Sequence, residues 1–405
     1  VEITLASWTC RVTIRIPAFA CSSHWQNIRR AEMEPLKNLF SDELVRWTVY
    51  HLARQLPSTD SHRLFHSIVD AFPALELKAR AQCIADRLHE VLPLETGERL
   101  AILEAMLHPD GLDHHDKRSD EQGLCGWAVM PLTLLVGQRC LTNFDAAMQT
   151  LKVMTQRFSS EFGIRYCLRQ DPEQAISIMA GWTGDPNRHV RRLVSEGARP
   201  RLPWAIQLPS LIADPRPGLD LLERLKDDPD PYVRRSVANH LNDISKDHAD
   251  LVVERAEAWM AGATTERQSL LRHGLRTLIK KGDLRALALF GREPGRVRYG
   301  TLELKSALVS FPGSLDFAIE LQSIADHPAS VSVDYVIQFR KANGSLSAKV
   351  FKGGEWTLSP SEKRYFRRSH AFRPITTRRY YPGEHRLQIR INGTDTPAVP
   401  FELEL

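Results

Sequence analysis

One octapeptide pattern occurs twice in this chain. Asp185-Pro186-Asn187-Arg188-His189-Val190-Arg191-Arg192 aligns without gaps to Asp228-Pro229-Asp230-Pro231-Tyr232-Val233-Arg234-Arg235, 43 residues later, as D-P-x-x-x-V-R-R. Each copy follows an apolar helix-forming run, Ala175 to Trp182 in one case and Leu219 to Leu225 in the other. A weaker third unit has Leu271, Leu275 and Leu278 replaying Val237, Leu241 and Ile244 at an offset of 34 residues. A unit of helix, D-P turn and helix cannot bury its apolar face alone. Units must stack, and that confines the chain to a curved solenoid with a concave face. In this reading the aspartate caps the second helix, the proline fits its first turn, and the valine faces the core.

The helical pattern extends well beyond the repeats. Between Leu36 and about Ala325, apolar residues recur at three- and four-residue steps, as in Leu44, Trp47, Leu52 and Leu56 or Ile84, Leu88 and Leu92. Pro57, Pro73, Pro93, Gly97, Pro109 and Gly111 break the runs. Repeats of this length and make-up are the pattern of HEAT-like arrays. The uncharged stretch Leu124 to Gly137 is 14 residues long and contains Pro131, too short to span a bilayer, so it predicts a buried core helix. After Asp326 the period changes from helix to strand. Val331, Val333, Tyr335, Ile337 and Phe339 alternate with other residues, Asn343-Gly344 and Gly353-Gly354 signal turns, and Leu387, Ile389 and Ile391 alternate again. Five to seven short strands predict a small all-β immunoglobulin-like sandwich, with Tyr381-Pro382-Gly383 at a corner and the cysteine pair absent. The fold class expected is therefore mainly α: a HEAT-like solenoid over residues 33–325, followed by a β-sandwich over 326–405. Residues 1–32, which precede Met33 and place Arg11 and Arg15 inside an apolar stretch, read as a non-native or disordered extension without the uninterrupted apolar run of a signal peptide.

Composition narrows the chemistry. Six cysteines are scattered without a C-x-x-C pair, which suits reduced thiols in a cytoplasmic protein and offers neither a disulfide framework nor a zinc site. There is no Walker-type loop, G-x-G-x-x-G or H-E-x-x-H, and no cofactor or metal is expected. The net charge of +5 is unevenly spread: residues 33–160 hold 13 basic against 17 acidic side chains, residues 161–300 hold 23 against 19, and residues 326–405 hold 13 against 8. The positive charge belongs to the C-terminal half, and that half is where a nucleic-acid surface should be sought.

Three segments carry a family resemblance. Asn187 to Trp204 reads N-R-H-V-R-R-L-V-S-E-G-A-R-P-R-L-P-W, Tyr232 to Asp247 reads Y-V-R-R-S-V-A-N-H-L-N-D-I-S-K-D, and Leu271 to Asp283 reads L-R-H-G-L-R-T-L-I-K-K-G-D. They resemble the AlkC family of bacterial alkylpurine DNA glycosylases, over roughly residues 33–405. The S-E-G-A-R-P-R-L-P-W run is the most specific part. The resemblance implies a monomeric HEAT-like glycosylase with a C-terminal immunoglobulin-like domain. Its implied substrate is double-stranded DNA carrying N3-alkylated bases such as 3-methyladenine and 3-methylcytosine, removed without flipping. It also implies that Glu161, Glu196, Trp204 and Asp243 occupy the catalytic cleft.

That chemistry has stated requirements. An N3-alkylated base is cationic and already a good leaving group, and breaking its bond to C1′ builds oxocarbenium charge on the sugar. The site needs carboxylates near that charge and near a water, with an aromatic face beside them. Trp204 is expected to pack on the lesion-bearing nucleotide, Glu161 and Asp243 to stabilise the oxocarbenium ion, and Glu196 to position water. Taken alone, Glu161 also fits a first-turn acid after Ser159-Ser160, and Asp243 a solvated acid or a partner of Lys246. Glu196 stands just before Gly197 at a helix C-terminus, where an acid is electrostatically misplaced.

The arginines divide in the same way. In each V-R-R, Arg191 and Arg234 are expected to bond the repeat's aspartates, while Arg192 and Arg235 face DNA phosphate, joined by Arg199 and Arg201 beside the tryptophan. In the C-terminal region Lys363, Arg364, Arg367, Arg368, Arg373, Arg378 and Arg379 put seven basic residues in the 19 from Lys363 to Tyr381 without an acid, a pattern read as a DNA-contacting loop. Seven phosphate contacts imply a log–log salt slope on the order of −6. The competing reading is a non-enzymatic HEAT scaffold that binds damaged or branched DNA or a protein partner. Such a scaffold needs the basic groove but not three acids beside a tryptophan.

Overall fold

The computed structural model describes residues 35–111, 118–375 and 378–405. Within residues 1–34 it describes only the backbone of two antiparallel strands, Ile3–Ala6 and Arg11–Ile14. Apart from those strands, the expectation for residues 1–32 lies outside the described residues.

From Asp42 to Ala288 the described chain is a succession of α-helices joined by turns, loops and short 3-10 segments. The repeat aligns its inner helices, Arg188–Gly197, Pro231–Ile244 and Thr265–Gly274, so that each packs on the next. Their cores are the residues the pattern selects: Val190, Leu193 and Val194 in the first, Val233, Val237 and Leu241 in the second, all fully buried. Burying each such side chain is worth about 1.5–3 kcal/mol. The predicted core helix is present as Val129–Arg139, with every residue from Val129 to Gly137 buried and Pro131 tolerated in the first turn.

The D-P turn works differently from the expectation. The helix caps are Asn187 and Asp230, two residues after the shared aspartates, and their side chains accept from the backbone N–H of His189 and Tyr232. Asp185 and Asp228 instead accept from the N–H of Asn187 and Asp230, closing the turn that leads into each helix. They also anchor the ladder between units: Lys152 pairs with Asp185 at 2.8 Å, and Arg191 pairs bidentately with Asp228 of the following repeat at 2.6 and 3.0 Å. Arg234 bonds the carbonyls of Asp228 and Pro229.

After the helices, strand structure begins at Val297, before the boundary the sequence suggested at 325/326. Residues Gly313–Ser323 form a long strand in which Leu315, Phe317, Ile319 and Leu321 are buried and alternate with less buried residues. That period of two lies inside a stretch read as helical, and it overrides the reading because a sheet buries one face of an alternating strand. One sheet has the order Leu308–Ser310, Val399–Glu404, Gly383–Ile391, Ala329–Arg340, Leu346–Leu358. In the other, Gly313–Ser323 pairs with Val297–Tyr299, Glu303–Leu304 and Lys363–Phe372. The two sheets share an aromatic-rich core that includes Phe317, Phe339, Phe366, Phe372 and Phe401.

The sandwich is docked on the last helices. Arg390 donates to the carbonyls of Lys280 and Lys281 at 3.1 and 3.2 Å, groups left unpaired at the end of helix Arg276–Lys281. Asn392 Nδ2 donates to Glu293 O at 2.9 Å, and Arg292 pairs with Glu355 at 2.6 Å. Gly282 and Gly393, both with left-handed φ, lie back to back: a Cβ on either would come within 2.8 Å of the other's carbonyl oxygen.

Candidate active site

The three acids belong to one buried ion network. Glu161 lies in the turn just before helix Ile164–Gln170, rather than inside a helix. Its Oε2 accepts from Arg192 Nη1 at 2.6 Å and from Ser159 Oγ at 2.7 Å, and Arg192 also donates to Ser159 Oγ. Arg192 Nη2 lies 3.5 Å from Glu196 Oε1, which also accepts from Arg199 Nη1 at 2.6 Å. Arg199 Nε then donates to Asp243 Oδ2 at 2.7 Å. The series Glu161, Arg192, Glu196, Arg199, Asp243 thus alternates in charge across two repeats, and its side chains are between 2% and 6% exposed. Ser236 Oγ donates to Glu196 Oε2 at 2.6 Å, and the half-exposed Lys246 reaches Asp243 Oδ1 at 2.8 Å from the solvent side.

The misplaced acid is now explained. Glu196 stands in the last turn of Arg188–Gly197, with Arg192 one turn before it and Arg199 three residues after it. Burial pushes the Glu196 carboxyl up, but the two guanidiniums and the hydrogen bonds from Ser236 and Arg199 outweigh it and hold it below the usual carboxylate range. Burial lowers the guanidinium of Arg199, yet the Glu196 and Asp243 charges leave it raised. The same balance raises Arg192, through Glu161 and Glu196. Asp243 is likewise in the last turn of its helix and is offset by Arg199 and Lys246.

This geometry corrects the expected division of the arginines. Arg192 and Arg199 are buried and bound to carboxylates, so they do not face phosphate in this structure. Arg201 forms a bidentate pair with Asp247, at 2.6 and 2.9 Å. Arg235 is exposed. The basic C-terminal run is also different: Lys363, Arg364, Arg367 and Arg368 lie on the strand Lys363–Phe372, not in a loop. Lys363 pairs with Glu320 and Arg364 with Glu362, while Arg368 bonds the carbonyl of Gly353. Arg367, Arg368 and Arg379 are exposed, and Arg378 is stacked over Phe339 at 3.8 Å.

Trp204 stands out by its backbone. Its φ is +66°, a left-handed conformation that costs about 1–2 kcal/mol for a bulky residue, and the residue is 53% exposed. A core tryptophan has no use for either feature, and Trp182, read as core, is buried. Trp204 lies on the loop that also carries Arg199. Tyr232 lies beneath Arg192, whose Cζ is 5.2 Å from the ring centroid, and His189 meets Tyr232 edge-on. The sequence reading missed Arg165, a fully buried arginine behind this loop, and Ser159 and Ser236, which hydrogen-bond the acids. The i−4 spacing of Arg192 from Glu196 was a signal for one link of the network, since it places that cation beside the acid on one helix face.

Comparison with known proteins agrees with this architecture. Residues 298–405 match the family described as "Uncharacterised protein YhaZ, C-terminal Ig-like domain". The chain is 35% identical over 373 residues to the uncharacterized protein YhaZ of Bacillus subtilis (strain 168), covering 92% of this chain and 100% of that one. It also superposes on the structure of Pseudomonas fluorescens alkylpurine DNA glycosylase AlkC bound to DNA containing an abasic site analog. That match has a TM-score of 0.79 and 33% identity, over 92% of this chain and 100% of that one. Similarity to both relatives along 92% of the chain, with a helical array closed by an immunoglobulin-like sandwich, places this protein in the AlkC/YhaZ family.

Proposed function

We propose that the protein is a DNA glycosylase that hydrolyses the N-glycosidic bond of cationic N3-alkylated bases, 3-methyladenine and 3-methylcytosine among them, in double-stranded DNA. The observation that carries this reading is the buried series of three carboxylates interleaved with two guanidiniums, on the same repeats as the exposed, strained Trp204. A scaffold that only bound DNA would keep these acids solely for the stability of their ion pairs. A developing oxocarbenium ion gains from each of them, because charges held in place within a water-poor wall need no reorganisation when the bond breaks.

In this mechanism the C1′–N bond of the alkylated nucleotide breaks and the base leaves neutral, its positive charge cancelled by the bonding pair. Glu161 and Asp243 stabilise the positive charge left on the sugar. Glu196 orients a water whose oxygen bonds to C1′ and whose proton passes to solvent through the carboxylate. Trp204 lies against the lesion-bearing nucleotide, and the base need not enter a pocket. DNA contacts come from Arg235 on the array and Arg367, Arg368 and Arg379 on the sandwich. The protein acts as a cytoplasmic monomer and uses no cofactor.

The test is release of 3-methyladenine and 3-methylcytosine from defined methylated duplexes by the full chain. Glu161→Gln, Glu196→Gln and Asp243→Asn should each bind DNA yet lose release. Wild-type excision by all three variants would overturn the assignment of the acids, and no release by the wild-type chain would overturn the activity.

A further inference from the structure

We propose that Arg165 is a positioning residue for this site, fixing the loop that carries Arg199 and Trp204; the proposal rests on the glycosylase reading above. Arg165, on helix Ile164–Gln170, is fully buried. Among the described residues its guanidinium donates to backbone carbonyls: Nε to Ile206 O at 2.6 Å, Nη1 to Gly197 O at 2.9 Å and Arg199 O at 2.6 Å, and Nη2 to Pro200 O at 3.4 Å. All four carbonyls belong to residues 197–206. A buried cation normally takes a carboxylate partner. Here a planar fork is spent on holding main chain, a task that suits the five fixed donors of arginine and not the single ammonium of lysine.

The four bonds tie both ends of the loop to one point. Gly197 O belongs to the last turn of helix Arg188–Gly197, whose final carbonyls have no partner within the helix. Ile206 lies where the chain returns toward the next helix, Pro209–Ala213. Between them the main chain of Arg199 is held by Arg165 while its side chain bridges Glu196 and Asp243. Trp204 is held at φ +66° in the same span. A bulky residue keeps such a conformation only where its surroundings leave no alternative. Pro200 and Pro203 stiffen the loop, but Arg165 is what connects it to the helix behind. Burial, then the nearby charge of Arg199, lower its guanidinium to about 10, which still leaves it protonated at neutral pH.

The experiment uses the full chain with Arg165→Lys and Arg165→Gln, read three ways. Hydrogen exchange in the free protein should quicken by about tenfold or more at residues 198–206 and stay unchanged at Leu219–Leu225. Single-turnover release of 3-methyladenine should fall on the order of 100-fold, since a displacement of about 1 Å in positioned groups has that effect. Affinity for an abasic-site duplex should stay within about threefold of wild type, because Arg165 faces no DNA. Lysine, which keeps the charge, should retain more activity than glutamine. Wild-type exchange and release in both variants would refute the proposal. So would faster exchange throughout the array with affinity lost in step, since that is a folding defect. If neither variant folds, the wild-type chain decides: slow exchange at residues 198–206 supports the staple, and exchange as fast as an open loop overturns it. The exchange measurement needs no substrate, so it separates failure of this proposal from failure of the glycosylase reading.

Discussion

Glu196→Gln is the most informative single perturbation, because the structure fixes both what it removes and what it leaves. The change keeps the shape and the acceptor atom but deletes a charge held 2.6 Å from Arg199 and 3.5 Å from Arg192. At an effective dielectric of about 20, those two attractions are worth roughly 6 and 5 kcal/mol, most of it offset by the desolvation of burying all three groups. The net loss on breaking a buried pair is about 3–5 kcal/mol, and the amide, which still accepts from Arg199, puts this variant near 3. For a helical region of this size that lowers the melting temperature by about 6–12 °C. Catalysis should fall by about 100- to 1,000-fold, the usual effect of removing one preorganised electrostatic partner. DNA affinity should hold within about threefold, since a side chain 3% exposed touches little of the duplex. Thermal melting, single-turnover release of 3-methyladenine and fluorescence anisotropy measure the three quantities on one preparation. The folded carboxyl lies below its ordinary range, so its stabilisation is complete above about pH 4.3 and fades as pH falls through the folded value. The melting gap between the two proteins should therefore close in acid. A variant that melts within 2 °C of wild type at pH 7, or one that is destabilised yet excises at the wild-type rate, would refute the reasoning; the first denies the buried network and the second its role in catalysis.

Other positions give independent tests. His240 is buried, and desolvation holds its imidazole at about 4 against an ordinary 6.5. Between those values the unfolded chain takes up a proton that the folded chain refuses, so this residue costs about 3 kcal/mol of stability as pH drops from 6.5 to 4. Urea melts of wild type and His240→Gln across that range should differ in pH slope, and parallel slopes would count against it. Trp204→Gly removes the left-handed strain, worth about 1–2 kcal/mol, and should melt no lower than wild type, while release of 3-methyladenine slows by about 3- to 30-fold. A clear drop in melting temperature would make Trp204 a packing residue instead. Arg367→Gln and Arg379→Gln should each reduce the log–log salt slope of duplex binding by about 0.9, and an unchanged slope in both would remove the sandwich from the DNA surface.

Much of this protein was legible in its sequence, and the reasons are specific. The D-P-x-x-x-V-R-R repeat announced the stacked helices because a repeated unit with one apolar face has few ways to bury it. Val190 and Val233, picked as core, are fully buried. The strand Gly313–Ser323 was missed because a helical reading already covered it, though Leu315, Phe317, Ile319 and Leu321 carry a period of two. Helix electrostatics marked Glu196 as misplaced, whereas Glu161 and Asp243 were nominated through the family resemblance.

Local pattern thus determined the array and most of the sandwich, because periodicity acts over a few residues, while the three candidate carboxylates came from the family resemblance. Only the tertiary structure decided what Arg192 and Arg199 do. In sequence they look like phosphate-binding arginines on a basic half. In the fold, stacking one repeat on the next buries their heads between Glu161, Glu196 and Asp243, where an unpaired charge of either sign would be too costly to keep. The same holds for Arg165, whose partners are carbonyls more than 30 residues away in the chain. Which side chains meet across repeats depends on helix stacking, and no spacing within one helix records it.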